Sequence, residues 1–410
     1  MTARSVRRSF RRMGFLLGAI TIVPWHSSSA QAALDLPTVL AIALEHNPDL
    51  ETARLRLDSA YAEQRIARAL PNPTASGIAN VPYQYALTEP IDLGPQRIFR
   101  TRAAGQGTSA TGLDVEDVTR QVTFEVRQAY FDLLLAQAQR DVAGDQRDTF
   151  QQLLVADSER VRTGDVPERN LTTSEVQLAR AEAALARAGA AVRAARLNLQ
   201  ALMGLTHPDT DFAVQGELHY QPVTIPDSLV ALAAANRPDL RAASMRVEQG
   251  RSLSSFAISE LVPTPIVSLT YQNGTPFTNG HQYQLGWGVS VPLFYWYGGE
   301  RERAKAAKQA AGVEMRKTQT QLTADVAEAL DAFRSSRLLA ERYESGLLAK
   351  ARAALETARY AYRAGATSQL DVLEAIRAYG DTRSEYYTAV RDYWVSVYAL
   401  DRAVGKDIAP

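Results

Sequence analysis

The stretch from Asn170 to Leu202, NLTTSEVQLARAEAALARAGAAVRAARLNLQAL, decides the fold of this chain. Its small and apolar residues recur at alternating spacings of three and four, at Leu171, Ser174, Leu178, Ala181, Leu185, Ala188, Val192, Ala195, Leu199 and Leu202. This heptad seam predicts a helix that packs closely along a partner helix. The same frame returns 201 residues later, at Val372, Ala375, Tyr379, Thr382, Tyr386, Ala389, Tyr393, Ser396, Leu400 and Ala403. The sequence therefore predicts a duplicated helical chain.

Residues 1–32 have the features of a secretory signal. Five arginines precede the apolar run from Met13 to Val23, and the small residues around Ala32 suit cleavage before Ala33. Removing this leader takes five of the 45 basic residues and no acidic residue, so 40 basic and 45 acidic residues remain, a net charge of −5. That balance argues against a nucleic-acid partner.

Cysteine is absent from the sequence, which excludes a disulfide framework, a thiolate metal site and a lipidated cysteine after the leader. Beyond the leader, no stretch of eighteen apolar residues occurs. If the mature protein enters a membrane, we therefore expect it to do so as β-strands.

The predicted fold is mainly α with a small β part, a duplicated unit of long coiled-coil helices in which each repeat carries one β-hairpin. The first repeat covers residues 33–215, with a hairpin at about 73–93 and long helices over 96–162 and 170–203. The second repeat covers residues 216–410, with a hairpin at about 265–293 and long helices over 299–363 and 370–404. A helix of some 65 residues is about 100 Å long, so its flanks must pack on other helices of this chain or of its copies.

The second hairpin has the alternation of a strand with one apolar and one polar face. A soluble β-sandwich would show the same pattern, but the leader and the aromatic cluster Phe294–Tyr297 at the strand end favour an outer-membrane strand. The first hairpin is shorter and is interrupted by Pro82, so its register is left open. The residues predicted to face lipid are Val267, Leu269, Tyr271, Tyr283, Leu285, Trp287, Val289 and Val291.

Four strands in one chain cannot close a membrane barrel, since the smallest such barrels use about eight strands. Unpaired strand edges are not viable in lipid. A membrane location therefore requires several copies of the chain.

With these features in place, the whole mature chain resembles the bacterial outer-membrane efflux proteins, the TolC-like channel-tunnels. The similarity lies in the two repeats and in the segments 47–50 (NPDL), 237–240 (RPDL), 89–94 (EPIDLG) before Arg97, 291–294 (VPLF) before Gly298, and 370–374 (LDVLE) after Gly365. The resemblance implies a homotrimer with a twelve-stranded β-barrel in the outer membrane and a periplasmic α-helical barrel. It also implies a periplasmic adaptor and, through it, an inner-membrane pump as partners.

The same resemblance places functional residues at the turns between the long helices. Asp371, and more loosely Glu374, match the acidic residues that ring the periplasmic entrance of the family. The alternative for Asp371 is a carboxylate that stabilises a helix N-terminus. The adaptor is expected to dock on both tips, at Arg162, Gly164, Asp165, Arg363 and Gly365. For Gly164 and Gly365 the equal alternative is that they only end their helices, and for Asp165 the alternative is a helix cap.

No enzyme, metal-site or cofactor-binding motif is present: the histidines lack metal-ligand spacing, and there is no glycine-flanked nucleophile or phosphate loop. The predicted function is a passive exit duct of a tripartite efflux or type I secretion system, with no cofactor. The competing hypothesis is a periplasmic coiled-coil scaffold that never enters a membrane. The sequence does not identify the cargo.

Overall fold

The computed structural model describes residues 34–79, 83–207, 212–275 and 278–408, so the predicted leader and the loop at Pro82 lie outside the described residues. In the first half, two short helices, α1 (Leu36–His46) and α2 (Pro48–Arg68), precede strands β1 (Thr74–Ile78) and β2 (Tyr83–Pro90). The long helices α3 (Pro95–Arg162) and α4 (Glu168–Leu202) follow. With 68 residues, α3 is about 100 Å long.

The second half has the same order of elements. Helices α5 (Leu229–Asn236) and α6 (Pro238–Ser259) precede strands β3 (Pro265–Thr275) and β4 (Thr278–Val289). Helices α7 (Gly298–Arg342), α8 (Leu348–Arg363) and α9 (Gln369–Val404) complete it. The fold is thus mainly helical with one small sheet, as the sequence predicts. None of the helices in the described ranges has both the length and the apolar character needed to cross a bilayer.

The Pro-Asp-Leu segments join each pair of short helices to the end of a long helix. Asn47 caps α2 by accepting bonds from the backbone amides of Asp49 and Leu50, and its own amide donates to the carbonyl of Leu202 at 2.8 Å. Gly204, with φ +72°, lies so close to the His46 carbonyl that a Cβ there would be 2.1 Å from the oxygen. The left-handed conformation and the close approach both require glycine at this position.

The second half repeats this junction with different chemistry. Gly405, at φ +77°, ends α9 against the backbone of Arg237. The Arg237 guanidinium is buried and bonds Asp239 at 2.5 Å and Asp325 at 2.7 Å. Burial lowers the pKa of Arg237, but hydrogen bonds from its guanidinium to the two carboxylates outweigh burial and raise the pKa above its ordinary value.

The predicted seams form the helix interfaces. No residue of either seam is exposed, and Ser174, Ala181, Val192, Leu199, Val372, Tyr393, Ser396 and Leu400 are buried. The helix α3 packs against α2, α4, α6 and α9 and so joins the two halves. Its buried residues Val122, Val126, Ala129 and Leu133 belong to the largest core cluster.

The second long helix is divided, although the sequence predicts one helix over 299–363. A π-helical turn at Tyr343–Leu347 separates α7 from α8, and Gly346 adopts φ +117° and ψ +4°, outside the helical region. Glycine reaches this conformation without steric cost. The spacing of apolar residues does not predict this break, because a lone glycine is compatible with a continuous helix. Gly144 in α3 lies in such a helix.

Candidate functional sites on the sheet and at the helical tips

The four strands form one antiparallel sheet in the order β1–β2–β3–β4. Its register fixes which side chains share a face, because successive residues of a strand alternate. Leu87, Leu269 and Leu285 are directly opposite one another across three strands, and Tyr85, Tyr271 and Tyr283 form the next such row. Seven of the eight residues predicted to face lipid therefore lie on one side of the sheet.

This apolar face is open in the single chain. Tyr283, Leu285 and Trp287 are 73%, 79% and 84% exposed, which is far more than side chains of a folded core show. Tyr271 is partly covered by Tyr85 and Tyr283. The eighth predicted residue, Val291, lies two positions beyond the end of β4.

The opposite face carries uncharged polar residues and glycine. Its members are Thr74, Ser76, Gln84, Thr88, Ser268, Thr270, Gln272, Gln282, Gln284, Gly286 and Gly288, together with Ile78, Ala86 and Ile266. Gly286 sits against the Ser268 hydroxyl, and a Cβ there would lie 2.5 Å from the Ser268 oxygen. The sheet is therefore two-faced, with one mainly apolar, aromatic side and one mainly polar side.

The segment between β4 and α7 is an exposed aromatic cluster. Phe294 is 99% exposed, and Leu293, Tyr295 and Trp296 are exposed as well. Such residues suit the boundary between hydrocarbon and water. The cluster that the sequence singles out thus lies at the end of the sheet nearest the helices.

The first tip, between α3 and α4, ends with Gly164 at φ +79°. The backbone N–H of Gly164 donates to the carbonyl of Val161, which is typical of a glycine that ends a helix. Arg162 pairs with Glu159 of the preceding turn, and Asp165 accepts a bond from the Thr163 hydroxyl at 2.9 Å. The three predicted docking residues here are exposed.

The second tip, between α8 and α9, has the same geometry, with Gly365 at φ +73°. Ser368 and Asp371 form a capping box, in which the Asp371 carboxylate accepts bonds from the Ser368 amide at 2.9 Å and from the Ser368 and Thr367 hydroxyls. The Thr367 bond contributes most to lowering the pKa of Asp371, and the Ser368 bonds follow. Asp371 therefore caps α9, the alternative that the sequence left open. Glu374, one turn later, and Arg363 are exposed.

A buried polar cluster joins the two tips, and its residues are not among the functional residues predicted from the sequence. Asp157 on α3 has no exposed surface, and its carboxylate accepts bonds from Ser174 and Tyr362 at 2.5 Å and from Gln369 at 2.7 Å. These four residues come from α3, α4, α8 and α9. Burial, and then the bond to Asp157, raise the pKa of Tyr362 to about 12. The Arg160 guanidinium lies 4.6 Å from the centre of the Tyr362 ring.

A signal for this cluster was present in the sequence. Phe150, Leu153 and Asp157 follow one another at spacings of three and four, so Asp157 occupies a core position of its helix. A carboxylate in a seam must find donors in the fold. The sequence gives no means of identifying partners some 200 residues away.

Comparison with known proteins agrees with this architecture. The chain is 26% identical over 392 residues to the cobalt-zinc-cadmium resistance protein CzcC of Cupriavidus metallidurans, across 94% of this chain and 93% of that protein. The solved CmeC outer membrane channel of Campylobacter jejuni superposes with a TM-score of 0.78 at 20% identity, over 90% of this chain and 85% of CmeC. A solved structure of CusC gives a TM-score of 0.77 at 20% identity, over 90% of this chain and 92% of CusC. The family model for outer membrane efflux proteins matches residues 39–205 and 229–406, and the chain belongs to that family.

Proposed function

We propose that three copies of this chain form a passive exit duct through the outer membrane. The main support for this proposal is the two-faced sheet, in which the strands are arranged in chain order. Within the described residues, the outer strands β1 and β4 each pair with a neighbour on one side only. Pairing β1 of one copy with β4 of the next would give twelve strands with no free edge, which lipid requires. The apolar face would contact lipid and the polar face would line the lumen.

The helices would form the periplasmic part of the duct, with the tips as its inner end. We propose that a periplasmic adaptor docks at Arg162, Gly164, Asp165, Arg363 and Gly365, and that an inner-membrane pump acts through it. Asp371 and Glu374 of three copies would ring the entrance and attract cations. The exposure of these side chains supports the assignment. Capping does not remove the charge of Asp371, because its hydrogen bonds favour the ionised form.

The decisive experiment measures pores directly. The protein is extracted from outer-membrane fractions in detergent, its mass is determined by light scattering, and the trimer is added to planar bilayers. A stepwise conductance from the trimer supports the duct. A monomer recovered from the soluble periplasmic fraction, without channel activity, would favour the coiled-coil scaffold instead.

We propose divalent metal cations as the cargo to test first. The support is the similarity to CzcC, which is named for cobalt, zinc and cadmium resistance and aligns over 94% of this chain. A deletion strain should lose growth on elevated zinc or cobalt, and the plasmid-borne gene should restore it. Unchanged metal tolerance with a loss of drug tolerance would reject this cargo and keep the duct.

A further inference from the structure

A row of glutamines crosses three of the four strands at one level of the sheet. Gln84 of β2 is directly opposite Gln272 of β3, which is directly opposite Gln282 of β4. Side chains in such positions are about 5 Å apart at Cβ. Gln284 lies one row nearer the helices, opposite Thr270. We define Gln84, Gln272 and Gln282 as the glutamine belt.

The belt lies at the turn end of the sheet. It is close to the end of β1 at Ile78, which is directly opposite Gln84, and far from Thr74 and Val289, where the sheet meets the helical segments. Its three members share the face opposite to the exposed aromatic residues. In a duct whose helices point into the periplasm, this level is the outer mouth.

The sequence around the belt carries no Asp, Glu, Lys or Arg over residues 69–88 and 261–299. These ranges include β1, β3, β4 and all of β2 except Glu89 and Pro90. Among the described strands, Glu89 of β2 is the one charged residue, and it is opposite Val267, on the face away from the belt and near the end of the sheet closest to the helices.

We propose that the glutamine belt lines the outer mouth of the duct and passes solutes without selecting them by charge. The inference rests on the proposed trimeric duct. Three residues from each of three copies would place nine amides in one ring. An amide both donates and accepts hydrogen bonds but has no net charge, so it can interact with hydrated cations, hydrated anions and neutral polar solutes alike. Rings of charged side chains, which give pores their ion preference, would occur only in the helical part.

The absence of cysteine allows a test in the assembled channel, because a single introduced thiol is unique. Gln282→Cys is reconstituted in a planar bilayer with a salt gradient near 0.1 M, where charges act over about 10 Å. The reversal potential is read before and after a methanethiosulfonate reagent that attaches a sulfonate, and again with one that attaches a quaternary ammonium. Tyr283→Cys, on the opposite face, is the matched control.

We expect the untreated Gln282→Cys channel to keep the wild-type permeability ratio. The sulfonate should raise the cation-to-anion ratio, on the order of fivefold, and the ammonium should lower it by a similar factor. Shifts of similar size and opposite sign are the signature of an uncharged ring. Tyr283→Cys should show neither shift.

Three results would overturn the inference while leaving the duct intact. The first is a cation-to-anion permeability ratio that does not change in Gln282→Cys although mass spectrometry verifies the labelling. The second is a change of this ratio in the same direction with both reagents, and the third is a change in Tyr283→Cys alone. If wild-type trimers give no conductance at all, the proposed duct itself fails.

Discussion

At the scale of single residues, Asp157 shows how one buried carboxylate can tie two distant turns together. Its three donors, Ser174, Tyr362 and Gln369, come from helices of both halves of the chain. The Gln369 amide also donates to the carbonyl of Asn170 and to the hydroxyl of Ser174. A buried carboxylate is stable only when its lone pairs are satisfied. The tips are therefore held in one arrangement by this cluster as well as by apolar packing.

Tyr362→Phe should loosen both tips. The substitution removes a hydrogen bond to a buried carboxylate, which contributes about 1.5–3 kcal/mol. Amide hydrogen exchange over residues 150–175 and 355–376 should accelerate by roughly tenfold or more. Asp165→Ala, which alters an exposed carboxylate of the first tip outside the cluster, is the control and should leave exchange in the second tip unchanged. Equal protection in wild type and Tyr362→Phe would show that the cluster does not stabilise the tips.

The same tyrosine has a predictable dependence on alkaline pH. Because burial and Asp157 favour the neutral phenol, the folded pKa of about 12 lies above the ordinary value of 10.0. The stabilisation is therefore complete below pH 10 and is lost as the pH rises toward 12. The difference in tyrosinate absorbance between wild type and Tyr362→Phe should titrate near pH 12. A midpoint near 10 would mean that the phenol is not buried against Asp157.

At the scale of elements, the two halves differ most in their long helices. The helix α3 is continuous, whereas Gly346 breaks the corresponding helix between α7 and α8. Two reciprocal bonds lie just before the break, since Tyr343 donates to Glu385 and Tyr386 donates to Glu344. These bonds attach the first two residues of the π-helical turn to α9.

Gly346→Ala should destabilise the protein. A left-handed conformation costs an L-residue about 1–2 kcal/mol, and no atom lies within 4 Å of the position a Cβ would take, so the cost comes from the backbone alone. Gly144→Ala in the continuous helix α3 is the matched control, with the same open surroundings. That variant should gain about 0.5–1 kcal/mol from helix propensity. The melting temperatures of the two variants in detergent should therefore move in opposite directions, and a gain in both would indicate that Gly346→Ala restores a continuous helix.

The elements also show what the sequence could and could not predict. The helices α3, α4 and α9 begin and end within two residues of the bounds predicted from heptad spacing and turn residues. Alternation predicted β3, but β4 ends at Val289, before Val291. The π-helical turn is not predictable because a lone glycine is compatible with a continuous helix. The cluster around Asp157 is not predictable because Tyr362 and Gln369 lie more than 200 residues away in the chain. The pairing of β2 with β3, which joins the two hairpins into one sheet, was likewise not predictable from the local pattern.

At the scale of the whole molecule, the exposed aromatic face and the edges of the sheet have one physical explanation. A sheet with Leu285 and Trp287 more than three-quarters exposed would be an aggregation hazard in water. In the proposed trimer, lipid covers the face and neighbouring copies cover the edges. The two faces of β4 should therefore tolerate charge very differently, although their residues are adjacent in sequence.

Leu285→Arg should prevent stable insertion, whereas Gln284→Arg should be tolerated. Arginine on the lipid face costs about 2–4 kcal/mol at the bilayer midplane, and the cost would recur in each of three copies. At position 284 the same charge would lie in the hydrated lumen, opposite Thr270. For both variants, stable insertion is measured as the amount of trimer in outer-membrane fractions, on gels of heated and unheated samples. Loss of trimer in Gln284→Arg with normal assembly of Leu285→Arg would reverse the assignment of faces, and normal assembly of both would remove the sheet from the membrane.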